Sequence, residues 1–372
     1  MENSNVRNSE GSYNFSPSSD VSADRVVSST YDIPAWFYSL LMEYLSYAMI
    51  GVSVFGMTSN ILIIVIYVKI GFSESINISY CALGISDTLY VIFVTWNAIC
   101  FIPAFARLNL PFIPSQVVVP TGGANSDIFL KTTAWITAWI SVERCLCVMF
   151  PFKVRTFVTR GKTLFAIITM SFFIVVPLTG LNFAFYAFEF TYDFERNRTI
   201  LKLFHRNSTL INRINDVYFI YKTLLLNFLP LLVVLLCAVF LATRLKASAA
   251  WRLQHSGPRP TKNASPPTED KTAKRKYDKD MRIAKTVLLI AVTFILLGAL
   301  NVQRLLLAMI WQEFRPFRSY GKWYRLTSRI ALFLLQANSS VNFIIYYHMG
   351  AKFRQTANQM FCSAKRRKRG VD

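Results

Sequence analysis

The chain has 372 residues, with 41 Lys+Arg against 20 Asp+Glu and a formal net charge of +21. Its apolar fraction is 53% and its charged fraction only 16%, with 31 Phe, whereas ordinary soluble domains carry roughly 25% charged residues. This excludes a soluble two-domain protein, whose surface would expose too much apolar area, and a nucleic-acid binder, which is rich in charge of both signs. The six Cys show no CxxC or Cys/His spacing, so neither a disulfide scaffold nor a zinc site fits. An integral membrane protein remains.

The N-terminal segment is polar, rich in Ser and Asn, and reads as a disordered extracellular region over residues 1–40. A cleavable signal peptide is not expected, because the first apolar run starts late and is too long; the first helix acts as its own anchor. A spanning helix needs about 20 mostly apolar residues. Seven segments qualify: Leu45–Tyr67, Tyr80–Phe101, Asn125–Phe150, Leu164–Phe185, Val217–Ala242, Ile283–Ile310 and Leu326–Tyr347. The third and seventh carry polar residues that lipid would not tolerate, which places them inside a bundle. The expected fold is therefore all-α, with the bundle over 41–350, a third cytoplasmic loop at 243–282 and a tail over 351–372.

Short-loop Lys and Arg set the orientation. Lys153, Arg155, Arg160 and Lys162 follow the third segment, and Arg244 to Lys285 holds twelve basic and four acidic residues. The tail ends in five consecutive basic residues, Lys365–Arg369. The N-terminus is thus outside and the C-terminus cytoplasmic. In that topology the glycosylation sequons at Asn14, Asn197 and Asn207 lie outside, while those at Asn77, Asn263 and Asn338 are chance matches.

Several motifs then fall in order. Asn60 stands in the first helix, and Leu-Gly-Ile-Ser-Asp ends at Asp87 in the second. Glu143-Arg144-Cys145 closes the third, with Pro151 and Phe152 seven and eight residues past the arginine. Pro230 lies in the fifth. Asn342-Phe343-Ile344-Ile345-Tyr346 ends the seventh, and Lys352-Phe353-Arg354 follows it. From about Asn60 to Phe353 this pattern resembles the rhodopsin-like (class A) G-protein-coupled receptors. Residues 141–155 and 338–354 are most similar to invertebrate members, the molluscan chemosensory-type and FMRFamide-type neuropeptide receptors.

The resemblance implies seven helices and a short amphipathic eighth one, in a plasma-membrane receptor coupled to a heterotrimeric G protein. Its extracellular ligand would be a peptide or an environmental chemical. Arg144, Glu143, Asp280, Asn342 and Tyr346 would form the activation switch, with Arg144, Pro151 and Phe152 facing the G protein. Asp280 also reads as part of a solvated charge cluster. Asp87, Thr133, Asn338, Ser339 and Asn342 would hold a sodium ion as allosteric modulator; a dry polar network around Asp87 is the other reading. No other metal or cofactor is expected.

The ligand-pocket candidates are Asp127, Lys131, Asn301 and Arg304. Asp127 and Lys131 are one helical turn apart, and either meet a ligand or neutralise each other for insertion. Ser126 holds the position of the amine-binding aspartate and Gln336 that of the retinal lysine, which disfavours an amine receptor and a photopigment. A basic outer rim (Arg196, Arg198, Lys202, Arg206, Arg315, Arg318, Lys322 and Arg325) reads as a funnel for an acidic ligand or as solvated loop charge. Cys362 is a palmitoylation candidate beside basic residues suited to anionic inner-leaflet lipid.

The departures are as informative. Val119 replaces the helix-three cysteine, no Cys lies between Phe183 and Asn215, and Cys100 is left unpaired. Phe294–Leu300 keeps only the Phe of the helix-six motif. The helix-four Trp is missing, and Ala238 replaces the helix-five Tyr. No P-loop, nucleophile elbow or metal cluster points to catalysis. A seven-helix transporter or channel is the alternative, but it would show inverted repeats or Gly/Pro-broken helices in matching halves.

Overall fold

The computed structural model describes residues 33–150, 158–194, 197–206, 208–254, 268–315 and 318–368. Helix α1 is Ala35–Ile70, α2 Ser75–Cys100, α3 Ala124–Met149 and α4 Arg160–Phe185. Helix α5 runs as Thr209–Thr223, a π-helical turn Leu224–Phe228, and Leu229–Gln254. Then come α6 Thr268–Ile310, α7 Gly321–Met349 and α8 Ala351–Lys368. Among the described residues, six helices are long and apolar enough to cross a membrane. Helix α3 matches them in length at 26 residues, but Asp127, Lys131, Glu143 and Arg144 depress its hydropathy. It compensates by burial, packing against α2, α4, α5 and α6 at the centre of the bundle.

The lipid-facing helices read in the opposite sense. Helix α4 leaves Phe165, Ile168, Phe172, Phe173 and Val176 exposed, a belt that water would not tolerate and hydrocarbon accepts. The largest apolar cluster lies at the inner end, where Ile63, Tyr67, Tyr80, Ile140, Tyr346 and Phe353 meet from α1, α2, α3, α7 and α8.

Two irregular turns shape the interior. Pro230 has no N–H and its ring clashes with the carbonyl one turn earlier; the π turn at Leu224–Phe228 directly before it absorbs that conflict. A second π turn, Val119–Gly123, carries Pro120 and leads into α3 from the short helix Pro114–Val118.

The elements differ from the sequence expectations in four places. Helix α1 starts at Ala35, inside the segment read as disordered. Helices α5 and α6 reach to Gln254 and from Thr268, so both extend into the loop expected at 243–282. Helix α8, expected to be short, continues to Lys368 and takes in Cys362; Gln, Ala, Lys and Arg are good helix formers. Finally, the fold is not purely helical. An antiparallel hairpin joins α4 to α5, with β1 Tyr186–Asp193 paired to β2 Arg198–His205. Its alternating Phe188, Phe190 and Tyr192 are the signature of a strand.

Candidate functional site

The site residues form three polar stations along α3. At the outer station, Asp127 stands one turn before Lys131, as the spacing predicts, and the two meet at 2.8 Å. Lys222 from α5, which sequence reasoning missed, takes the other carboxylate oxygen at 2.8 Å. The π turn makes room for a further connection. Asn227 on that turn donates to the Lys222 carbonyl at 2.7 Å, Asn301 of α6 donates to the Asn227 side-chain oxygen at 3.2 Å, and Arg304 donates to Asn301 at 2.9 Å. The guanidinium of Arg304 also rests 4.6 Å from the Tyr324 ring centroid, a cation–π distance. All four expected pocket residues therefore converge on one region, and Lys131, Asn227 and Asn301 line a cavity there with Leu130, Ala134 and Phe294.

The middle station is Asp87, fully buried on α2. Thr133 and Ser339 donate to one carboxylate oxygen at 2.9 and 3.0 Å, and Asn342 donates to the other at 2.9 Å. Asn338 makes no hydrogen bond to Asp87; the amide is one residue off the face of α7 that carries Ser339 and Asn342. Asn60 does not touch Asp87 directly either. It donates to the Ser339 carbonyl at 3.1 Å, so the two are linked through Ser339. A carboxylate and two hydroxyl oxygens, with the orphaned buried Asn60 Oδ1 nearby in this chain of contacts, suit a small hard cation.

At the inner station Arg144 donates to Glu143 at 2.8 Å. Glu143 is buried, and Ser75 and Ser79 of α2 also donate to its two oxygens. Tyr346 is buried beside it in an aromatic cluster, 4.6 Å from the Tyr80 ring and within 6 Å of Tyr67 and Phe353. The hydroxyls of Tyr80 and Tyr346 are both buried without partners. Asp280 lies on the α6 backbone, but its side chain is outside the described residues, as are Pro151, Phe152, Asn14, Asn207 and the Cys362 side chain. Asn197 is exposed at the hairpin turn in the left-handed conformation, φ 50°, which Asn tolerates.

Outside these stations, Arg329 of α7 is a buried cation that sequence reasoning missed. It donates to Asn97 and to Ser46, and its guanidinium lies 4.2 Å from the Phe101 ring. Its spacing of seven residues from Gln336, which puts both on one face of α7, is the available signal. Cys100 is buried and free, and no disulfide forms among the described residues. In place of one, the hairpin is tied to the segment before α3 by hydrogen bonds. Leu201 N–H donates to the Pro111 carbonyl at 2.8 Å, Arg198 donates to the Leu110 carbonyl, and Leu203 N–H donates to Gln116 at 3.3 Å. The rim cations are partly engaged: Arg315 donates to the Ala308 carbonyl and Arg325 to the Tyr38 hydroxyl.

Comparison with known proteins follows this geometry. Residues 46–364 match the family described as serpentine type 7TM GPCR chemoreceptor Srw. Among solved structures, the crystal structure of squid rhodopsin is similar with a TM-score of 0.61 at 17% identity, covering 90% of this chain and 87% of that one. At that identity the likeness carries the fold alone. No curated protein matches.

Proposed function

We propose, on the premise that this chain belongs to the Srw family of serpentine seven-transmembrane G-protein-coupled chemoreceptors, that α3 is the rod through which its outer and inner ends communicate. The chain is a multi-pass membrane receptor that transduces ligand binding into heterotrimeric G-protein activation. Family and fold favour a receptor over a transporter or an enzyme. Our reading places it at the plasma membrane, with the outer cavity around Lys131, Asn301 and Arg304 as the ligand site for a peptide or a small acidic molecule. Sodium held by Asp87, Thr133, Ser339 and Asn342 would favour the resting state. Arg144, released from Glu143 and Asp280, would open the inner face to the G protein, with Phe152 as an apolar anchor and Cys362 as a lipid attachment point.

The observation that carries this reading is that one continuous helix holds Asp127 and Lys131 at its outer end, Thr133 on Asp87 in the middle and Glu143–Arg144 at its inner end. A small shift of a rigid helix moves all three together, and packed cores respond to such shifts in discrete steps. The test is expression in cultured cells with a promiscuous G protein, screening neuropeptides and odorants, with tags near Asn14, Asn207, Asn263 and Cys362. The first two tags are expected to be reachable on intact cells and the last two not. The reverse labelling, or no response across a broad screen, would remove the reading.

A further inference from the structure

The inner end of the bundle holds cysteines to which the reading above gives no task. Cys145 follows Arg144 directly on α3, Cys147 comes two residues later, and Cys237 stands on the inner part of α5. Successive helical residues turn by about 100°, so Cys145 and Cys147 point to different sides. Cys145 is the one that faces α5. Its Sγ donates to the Cys237 carbonyl at 3.6 Å, and the two thiols also meet directly, each as the other's side-chain hydrogen-bond partner. Both are free thiols.

Their surroundings suit a bond between them. Cys145 is 5% exposed and packs with Ile140, Leu241, Ala284 and Val287, from α3, α5 and α6. Cys237 borders the same cluster and is only half-buried, so a small neutral oxidant meets it first. A disulfide has no donor to satisfy, and apolar walls accept it as readily as two thiols. It needs an S–S distance of about 2 Å, which thiols already in contact reach by rotation about Cα–Cβ and a small approach of the two helices. A second sulfur beside the first is also what resolves an oxidised cysteine before it goes further. On the proposed topology the pair lies toward the reducing cytoplasm, where disulfides are transient and redox-sensing rather than structural.

We propose that Cys145 and Cys237 are a modification site: hydrogen peroxide joins them in a reversible disulfide that clamps α3 to α5 beside Arg144 and lowers G-protein activation. The Cys237 sulfur attacks one peroxide oxygen, the O–O bond breaks, and a sulfenic acid and one water result. The Cys145 sulfur then attacks the sulfenic sulfur, and the hydroxyl leaves with the Cys145 proton as a second water. Two thiols are oxidised and one peroxide is reduced. Glutathione reverses the bond by thiol–disulfide exchange. The signalling effect rests on the reading of this inner face as the transducing one. In the present arrangement Arg144 is held by Glu143, and a covalent tie one residue away fixes α5 against α3 in that arrangement.

The experiment uses the full-length receptor in lipid nanodiscs, untreated, treated with hydrogen peroxide, and treated then reduced with glutathione. Free thiols are blocked, and linked peptides are identified by mass spectrometry. In parallel, ligand-free nucleotide exchange on a promiscuous G protein is followed for the native receptor and for Asp280→Ala, whose raised basal signal widens the range. Peroxide is expected to yield a Cys145–Cys237 link with loss of two hydrogens, and a several-fold fall in exchange that glutathione restores. Cys147→Ser is expected to behave as the native chain, and Cys237→Ala to keep its basal exchange and ignore peroxide. Absence of the link, a link through Cys147 instead, unchanged exchange in the linked receptor, or a peroxide response surviving in Cys237→Ala would each overturn the proposal. Absence of the link in a receptor with strong exchange ends this inference alone. A link formed in a receptor that drives no exchange in any form, Asp280→Ala included, removes the transducing reading and the signalling effect with it.

Discussion

The two ends of α3 solve the same problem in opposite ways. At the inner end one arginine meets one glutamate, and two serines complete the carboxylate's hydrogen bonds. At the outer end two lysines, Lys131 and Lys222, divide the two oxygens of one carboxylate, Asp127. A matched pair of neighbours on one helix in a low-dielectric setting is held firmly, whereas two cations on one anion leave a positive charge over. The contrast teaches that a buried charge is informative through its accounting: one glutamate matches one arginine at the inner end, while one aspartate is divided between two lysines at the outer end.

Asp127→Ala should break this comparison hardest. It leaves Lys131 and Lys222 with no anion, and is expected to cost about 4 kcal/mol, within the range for breaking a buried pair, read as a fall in unfolding temperature and in surface level. Glu143→Ala removes a carboxylate from beneath a single arginine and should cost roughly 3 kcal/mol by the same measurement. If the two losses came out in reverse order, the outer excess of charge would have less energetic weight than we assign it. Next in size is the inner switch. Asp280→Ala is expected to raise basal signalling by about 5- to 150-fold, the range set by coupling energies of roughly 1–3 kcal/mol, while Phe152→Ala should reach the surface, bind ligand and couple poorly. A basal assay and a G-protein activation assay on both variants separate these roles. Smaller still, sodium is expected to lower agonist affinity about fivefold, the low end of such couplings, and Asp87→Asn to abolish that dependence in a binding titration. Last, mild reducing agent should leave ligand binding at the cell surface nearly unchanged.

Much of this was legible in the sequence where the signal is local. Hydropathy places six of the spans, because lipid requires backbone groups to pair within the segment, whereas α3 is legible from its length and its polar motifs. The Asp127–Lys131 contact follows from helical spacing, and the Asp87 cluster follows from motifs whose order resembles a known family. What escaped depends on helices meeting across the bundle. Lys222 reaches Asp127 only because α5 packs on α3 with a π turn in it, and no spacing along the chain encodes that. The ladder through Asn227 and Asn301 has the same origin. The hairpin falls between the fourth and fifth apolar segments, outside the helix that ends at Phe185, and its signal is the aromatic alternation from Phe188 to Tyr192. Asn338 joins Ser339 and Asn342 around Asp87 only through the family resemblance; here it makes no hydrogen bond to that carboxylate, since consecutive residues on a helix point about 100° apart.

The hairpin that closes the outer face is fastened by Leu201, Arg198 and Leu203 to the segment before α3, where a disulfide of typical strength would add about 2–4 kcal/mol. Three hydrogen bonds at roughly 1 kcal/mol each reach a similar sum, but they form without an oxidant. The expectation is a receptor whose outer face folds without oxidative machinery. Cell-free synthesis into nanodiscs under reducing conditions should yield a receptor whose outer lid is already in place, ready for ligand, and free of the mispaired thiols that burden secretory production.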